Sequence, residues 1–467
     1  MKGGSEYEIN ISNKNQQTFQ EVEISENVRV STIKTIKTPK KCCSCDNCIS
    51  KGSITECVIN MSILSFGIGL LALPQKVQYL TIIMTPILII LGGILNYWTF
   101  TILTDASREL KIYKYEDIVL SLFGVYMRYF FIIVVLIGIC GSLILYQVII
   151  YKFIGGIFNE FFSLGYPSME AISAESFWGE RRIRIAVLFC IAILILLPLC
   201  SIKTFSKMRY VSTFGVFSIF LIILIVIIQC PFFFVHNFIK EKQKINLIDF
   251  SLGFKKDLKF VQSLSTIIYC FVCHEGIFPV INSLENPTEK RVNKVFKISI
   301  STNVICFIII TISGYFTKPW KTPDLILERE KIFKKDYVMT IGLILFCFAL
   351  ITKICAAYNC FRAIILNIFK FDANNYPNSI NFLLTVSTLS LTAFVAAMFQ
   401  NISDYINING SFYGFFISII MPGMIYIKSN NHSIFHIKNL LTILLILLLC
   451  FIGAITIFFT FKKLFPL

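Results

Sequence analysis

Apolar residues in this chain gather into long unbroken runs separated by short polar stretches, and the runs share one length scale. A helix rises 1.5 Å per residue, so about 20 apolar residues cover the ~30 Å hydrocarbon core of a bilayer. Runs of that size occupy 54–74, 81–103, 127–153, 184–200, 211–235, 260–281, 298–317, 337–361, 379–400, 407–427 and 439–461, which predicts eleven membrane-crossing helices. The last contains LLILLLCFIGAITIFF. Its continuity excludes the period-two alternation of a barrel strand. The predicted fold class is an all-α polytopic membrane protein.

Composition supports this reading. Of 467 residues, 56% are hydrophobic and only 15% charged, with mean hydropathy +0.74. A soluble protein carries about 25% charged residues and could not bury so much apolar surface. The net charge of +16 raises nucleic-acid binding as a question. That function needs a basic patch on a soluble face, whereas most Lys and Arg here stand between apolar runs, so no nucleic-acid partner is expected. Residues 54–461 are read as the membrane domain, 462–467 as a short tail, and 1–53 as a largely disordered cytoplasmic head with no signal-peptide pattern. Lys and Arg counts barely separate the two faces. The short loop carrying Lys203, Lys207 and Arg209 favours a cytoplasmic N-terminus.

Most of the sixteen cysteines fall inside apolar runs, where Cys acts as a small hydrophobe. Cys42, Cys43, Cys45 and Cys48 differ, standing just ahead of the first run beside Lys40, Lys41 and Lys51. Juxtamembrane thiols next to basic residues suit S-acylation. Four thiolates could also hold zinc, but adjacent Cys42 and Cys43 lack finger-like spacing, and inert thiols are the third possibility. No metal and no cofactor is assigned.

Two runs contain what a lipid-facing helix avoids. The first reads Asn60-Met-Ser-Ile-Leu-Ser65-Phe66-Gly67-Ile68-Gly69-Leu-Leu-Ala-Leu-Pro74. Each glycine costs about 1 kcal/mol relative to Ala in a helix, so this stretch unwinds easily; close helix packing through small residues is the alternative. The sixth reads Tyr269-Cys-Phe271-Val272-Cys273-His274-Glu275-Gly276-Ile-Phe-Pro279. Charge at membrane depth is costly unless satisfied, either by a His–Glu hydrogen bond or by an aqueous site that also accommodates irregular backbone. The first and sixth runs open successive sets of five. Interruptions at corresponding places in two halves point to an inverted-repeat transporter with its site near mid-bilayer. Freed N–H groups there receive a carboxylate and freed carbonyls a cation, a polarity that fits a zwitterionic amino acid.

These stretches resemble the amino acid/auxin permease family. Gly67-Ile-Gly-Leu-Leu-Ala-Leu-Pro74 is similar to its first-helix motif, and Phe271-Val-Cys-His-Glu-Gly-Ile-Phe-Pro279 resembles its sixth-helix motif, one half like the neutral transporters and the other like the proton-coupled ones. Tyr115–Gly124, Asn409-Gly-Ser, Ile420-Met-Pro-Gly423 and Arg362 also fit, and the resemblance runs over 53–461. It implies a LeuT-like fold of five-plus-five inverted repeats with an eleventh helix, a monomer, moving amino acids by alternating access. By the resemblance, backbone at Ser65, Phe66, Gly67, Ile68 and Gly69 holds the substrate's carboxylate and amine, while Phe271, Val272, Cys273 and His274 line its side-chain pocket.

Ion coupling is read from three residues. Sodium-coupled members carry an Asn four residues before the first motif glycine, where this chain has Ile63, and a hydroxyl on helix 8, near which this chain has Thr352 followed by Lys353. Lys353 stands deep in an apolar run, where its ammonium either replaces a sodium ion or snorkels to a vestibule. Glu275 is the candidate proton-coupling group, because burial disfavours a charged carboxylate. The expectation is a transporter of neutral amino acids driven by protons or running as a facilitator or exchanger, in the plasma membrane or an acidic internal membrane. Sodium coupling, cationic substrates and an amino-acid-sensing receptor are the alternatives; no catalytic constellation points to an enzyme.

Overall fold

The computed structural model describes residues 52–464 apart from 167, 170, 173–175, 203–208, 238–258, 320, 331, 333–335, 372–375, 399–400 and 431–435. The cysteine cluster Cys42, Cys43, Cys45 and Cys48 and the loop lysines Lys203 and Lys207 lie outside the described residues. Among those described there is no strand. Ten helices are long and apolar enough to cross a membrane, and a bent pair makes an eleventh. All eleven sit on the predicted runs.

The bent pair is α1 (Ile54–Ser65) and α2 (Ile68–Leu80), which meet at 52°. Ser53 starts α1 by accepting the Glu56 N–H at 3.1 Å, while the Glu56 carboxylate accepts the Gly52 N–H at 2.6 Å. This reciprocal cap satisfies two donors that a helix start leaves open. The second and third spans are α3 (Met84–Leu110) and α5 (Val125–Phe162), joined by the short α4 (Tyr115–Phe123). Next come α6 (Arg181–Ile191), which runs through a π-helical turn into α7 (Leu197–Cys200), and α8 (Arg209–Val235).

The sixth span is broken as well. Helix α9 (Lys259–Cys270) stops, a 3-10 turn covers His274–Gly276, and α10 (Ile277–Ser283) resumes. Four spans follow: α11 (Glu289–Thr317), α12 (Tyr337–Ile368), α13 (Asn378–Met398), and a tenth built from α14 (Ile402–Asn409) and α15 (Met421–Ser429). Two π-helical stretches, Gly410–Gly414 and Phe416–Ile420, lie between α14 and α15. Helix α16 (Ile437–Leu464) closes the chain, and Leu440, Leu444, Leu447, Leu448 and Phe451 along it are exposed. An apolar stripe of that size is stable against lipid and not against water.

The two broken spans lie side by side. Ser65 Oγ donates to the Cys270 carbonyl at 3.1 Å, so a hydroxyl at one break serves a carbonyl at the other. A carbon added at Gly276 would run into Leu64 of α1, which explains the glycine at that contact. Opposite, Pro74 of α2 packs on Gly314 of α11, where an added carbon would stand 2.6 Å from the ring.

Arg362 ties its own span to two others. Buried on α12, it donates to the carbonyls of Cys200 at 2.9 Å and Ile202 at 2.8 Å, to Asn381 Oδ1 of α13 at 3.0 Å, and to Asn359 Oδ1. The end carbonyls of α7 have no helical partner, so the guanidinium completes them. Arg362→Leu is expected to destabilise the fold by about 3 kcal/mol, through buried acceptors left without a donor. A thermal-shift assay in detergent checks this, with Arg362→Lys recovering part of the loss.

Candidate functional site

Near the middle of the membrane-spanning bundle the two breaks enclose a small cavity. Phe66 is extended (φ −67°, ψ 109°) and so is Gly67 (φ −149°, ψ −155°), which interrupts the helical hydrogen-bond ladder. Ser65, Gly67, Ile68 and Gly69 line the cavity on this side, with Cys270, Val272 and Glu275 on the sixth span facing them. Lys353 enters from α12, and Tyr146, Tyr269 and Tyr413 add three phenol rings. The interior volume is about 20 Å³. That admits roughly one water, so the cavity is contracted in this conformation.

Polarity is divided inside it. Lys353 Nζ approaches the Ser65 carbonyl at 3.5 Å and lies 5.7 Å from the Tyr146 ring centre. It is buried and directed at the break rather than towards a vestibule. Glu275 brings a carboxyl group to the same space, beside Tyr413. A cation–carboxylate pair across an enclosed site suits a ligand bearing both charges. Asn409, from the Asn-Gly-Ser motif, donates to Ser142 Oγ at 2.9 Å and the Gly138 carbonyl at 3.2 Å, and Ser142 Oγ sits 3.1 Å from the Tyr269 hydroxyl. This polar knot fixes the third, sixth and tenth spans around the cavity.

Other residues singled out in the sequence point elsewhere. Phe66 stacks edge-on against Phe220 and Phe307, and Phe271 packs on Phe307 and Gly92, both away from the cavity. Cys273 is buried and does not line it. His274 is fully buried, with Nε2 3.0 Å from Thr99 Oγ1 and its ring on Phe100, so its partner is a threonine rather than Glu275. Thr352 bonds back to the Phe348 carbonyl at 2.9 Å and abuts Gly215. Sequence reasoning missed Tyr146, Ser142 and Tyr413; a hydroxyl-bearing side chain in an apolar run was their sole signal.

An open vestibule lies on each side. Towards the face where α1 begins, here the near face, a space of about 410 Å³ is lined by Glu116, Glu275, Phe278, Cys360, Asn367 and Ile417. Asn367 at the end of α12 donates to Glu116 at 2.9 Å and accepts from Lys114 at 3.3 Å, which holds the α3–α4 linker across the mouth. Burial pushes the Glu116 carboxyl above its ordinary value, and the Asn367 bond opposes this. Towards the far face a space of about 470 Å³ is lined by Gln75, Lys76, Asp324 and Asp404. There Gln75 bridges Lys76 at 2.8 Å and Asp324 at 2.5 Å.

Comparison with known proteins agrees with this architecture. The family model described as transmembrane amino acid transporter protein matches residues 50–465. The chain is 23% identical over 266 residues to "Putative amino acid transporter AAT1" of Plasmodium falciparum, covering 57% of this chain and 40% of that protein. It is 23% identical over 203 residues to the human "Putative sodium-coupled neutral amino acid transporter 11", covering 43% and 48%. To "Amino acid transporter AVT6E" of Arabidopsis thaliana it is 21% identical over 259 residues, covering 55% and 50%. The matched stretch thus spans about half the length of these relatives or less. With the family model covering nearly all of the helical bundle, the chain belongs to the transmembrane amino acid transporter family, the amino acid/auxin permeases.

Proposed function

We propose that this protein is a secondary active transporter of neutral amino acids, working by alternating access and driven by protons or by exchange. The observation that carries the reading is the meeting of two broken helices around a cavity holding Lys353 at the Ser65 carbonyl and Glu275 opposite. Freed backbone groups at helix breaks bind the carboxylate and amine of a zwitterion. A ligand of balanced charge matches a site that already contains one cation and one anion. The LeuT-like repeat, with its first and sixth spans interrupted alike, is part of the proposal. So are a monomeric state, a cytoplasmic N-terminus, and residence in the plasma membrane or an acidic internal membrane.

Coupling follows from the same atoms. An ammonium fixed beside the Ser65 carbonyl supplies the positive charge that a bound cation would bring to an unwound helix. Uptake should therefore proceed without sodium. In proteoliposomes tested with a panel of labelled amino acids, initial rates are expected to stay within about twofold when choline replaces sodium. Rates are also expected to rise when the outside is made acidic. Loss of uptake in choline would overturn the assignment and move the coupling towards sodium, which the name of the human relative includes.

A further inference from the structure

Along three spans, residues facing the central cavity are followed one turn on by residues facing the near vestibule. Ile139 lines the cavity and Val135 the vestibule; Ala357 and Cys360 repeat the pattern on α12, and Tyr413 and Ile417 on the tenth span. Glu275 alone among these lining residues belongs to both spaces. The partition between them is therefore one helical turn thick, about 5 Å. Its polar members are Glu275 and Tyr413.

Tyr413 is placed there by unusual means. It sits in the π-helical stretch Gly410–Gly414, and wide turns of this kind recur at functional positions. Gly410 allows that stretch to lie against α9, because an added carbon would come 2.8 Å from the Ser265 carbonyl. The ring lies over Gly138 so closely that a carbon added to that glycine would overlap it. Tyr413 is 1% exposed, yet its hydroxyl has no hydrogen bond of ordinary geometry. The Glu275 carboxylate is the side-chain partner it faces, and Oε2 has no other partner. At such close range a buried hydroxyl and a buried carboxylate serve each other, and either one left alone would be costly. The other charged group in the cavity, Lys353, reaches the Ser65 carbonyl instead.

We infer that Tyr413 is a positioning residue that latches the floor of the central cavity, its hydroxyl donating to the Glu275 carboxylate to shut the cavity from the near vestibule. The inference rests on reading the cavity as the transport site. Release towards the near face requires the Tyr413–Glu275 contact to part.

Two native thiols provide the test. Cys270 lines the central cavity and Cys360 the near vestibule. A membrane-impermeant methanethiosulfonate reagent is applied to each face of sealed vesicles in turn, and both cysteines are followed by peptide mass spectrometry. In Tyr413→Phe, near-face modification of Cys270 is expected to quicken about tenfold, the scale of one lost charge-assisted hydrogen bond. Cys360 should be unchanged, as should Cys270 approached from the far face. Tyr413→Ala, which removes the ring, should quicken it further. Unchanged Cys270 modification in both variants, or equal quickening from both faces, overturns the latch. If the expected pattern holds but wild-type proteoliposomes carry no amino acid, the latch stands and the transport reading fails.

Discussion

Gly67→Val is expected to reduce amino acid uptake at least a hundredfold while leaving a folded, monodisperse protein. A carbon attached at Gly67 would occupy the position of Lys353 Nζ and crowd the Cε behind it at 3.1 Å. The lysine would have to leave the Ser65 carbonyl, which takes the ammonium away from the break proposed to bind substrate. Displacing a charge inside an enclosed site costs several kcal/mol, and each 1.4 kcal/mol is a factor of ten. Gly67→Ala should show a milder form of the same defect. Gly155→Ala is the control, because its added carbon meets Ile172 and Trp178 at ordinary distances of 3.8 and 3.9 Å. Initial rates in proteoliposomes, normalised to the size-exclusion peak, check the series. Wild-type uptake by Gly67→Val would show that the break does not contact substrate.

Glu275→Gln should separate exchange from accumulation. Glutamine keeps the shape of the protonated acid and cannot release a proton, so the carrier is held in one coupling state. Substrate already inside the vesicle can still exchange with labelled substrate outside. Accumulation driven by an acidic exterior is expected to fall to the level seen with no gradient. Measuring both modes on the same vesicles removes differences in reconstitution. Persistence of pH-driven accumulation would make Glu275 a structural residue and leave coupling by exchange as the reading.

What could be read in advance, and what could not, divides along physical lines. Length and hydropathy located every span, since a bilayer imposes one thickness on all helices. The breaks at Gly67 and at His274–Gly276 were visible because glycine and charge are expensive at that depth. Lys353 stood out for the same reason. Side-chain direction was another matter. A regular helix advances each residue by a fixed rotation, but extended and 3-10 backbone does not, so the sequence could not tell that Phe66 and Phe271 turn away. A His274–Glu275 hydrogen bond is one of the two readings that their adjacency in the chain allows, whereas the 3-10 turn sends the His274 ring to Thr99 and Phe100. Tyr413 arrives at the cavity through a wide turn that shifts the helical register, and no local propensity announces such a turn. The pocket of four consecutive residues implied by the family resemblance, Phe271 to His274, contributes one of them, Val272, to the cavity wall.

The thin partition between cavity and vestibule also has an electrical meaning. A water-filled near vestibule of about 410 Å³ would carry the conductivity of the solution as far as Glu275, which lines it. The membrane voltage would then fall across the protein beyond Glu275, on the side of the cavity and Lys353. One elementary charge moved through the full potential is worth about 2.3 kcal/mol per 100 mV. If Glu275 takes the coupling proton, as proposed, a proton reaching it from the far face would cross most of that potential, and uptake would respond to voltage as well as to pH.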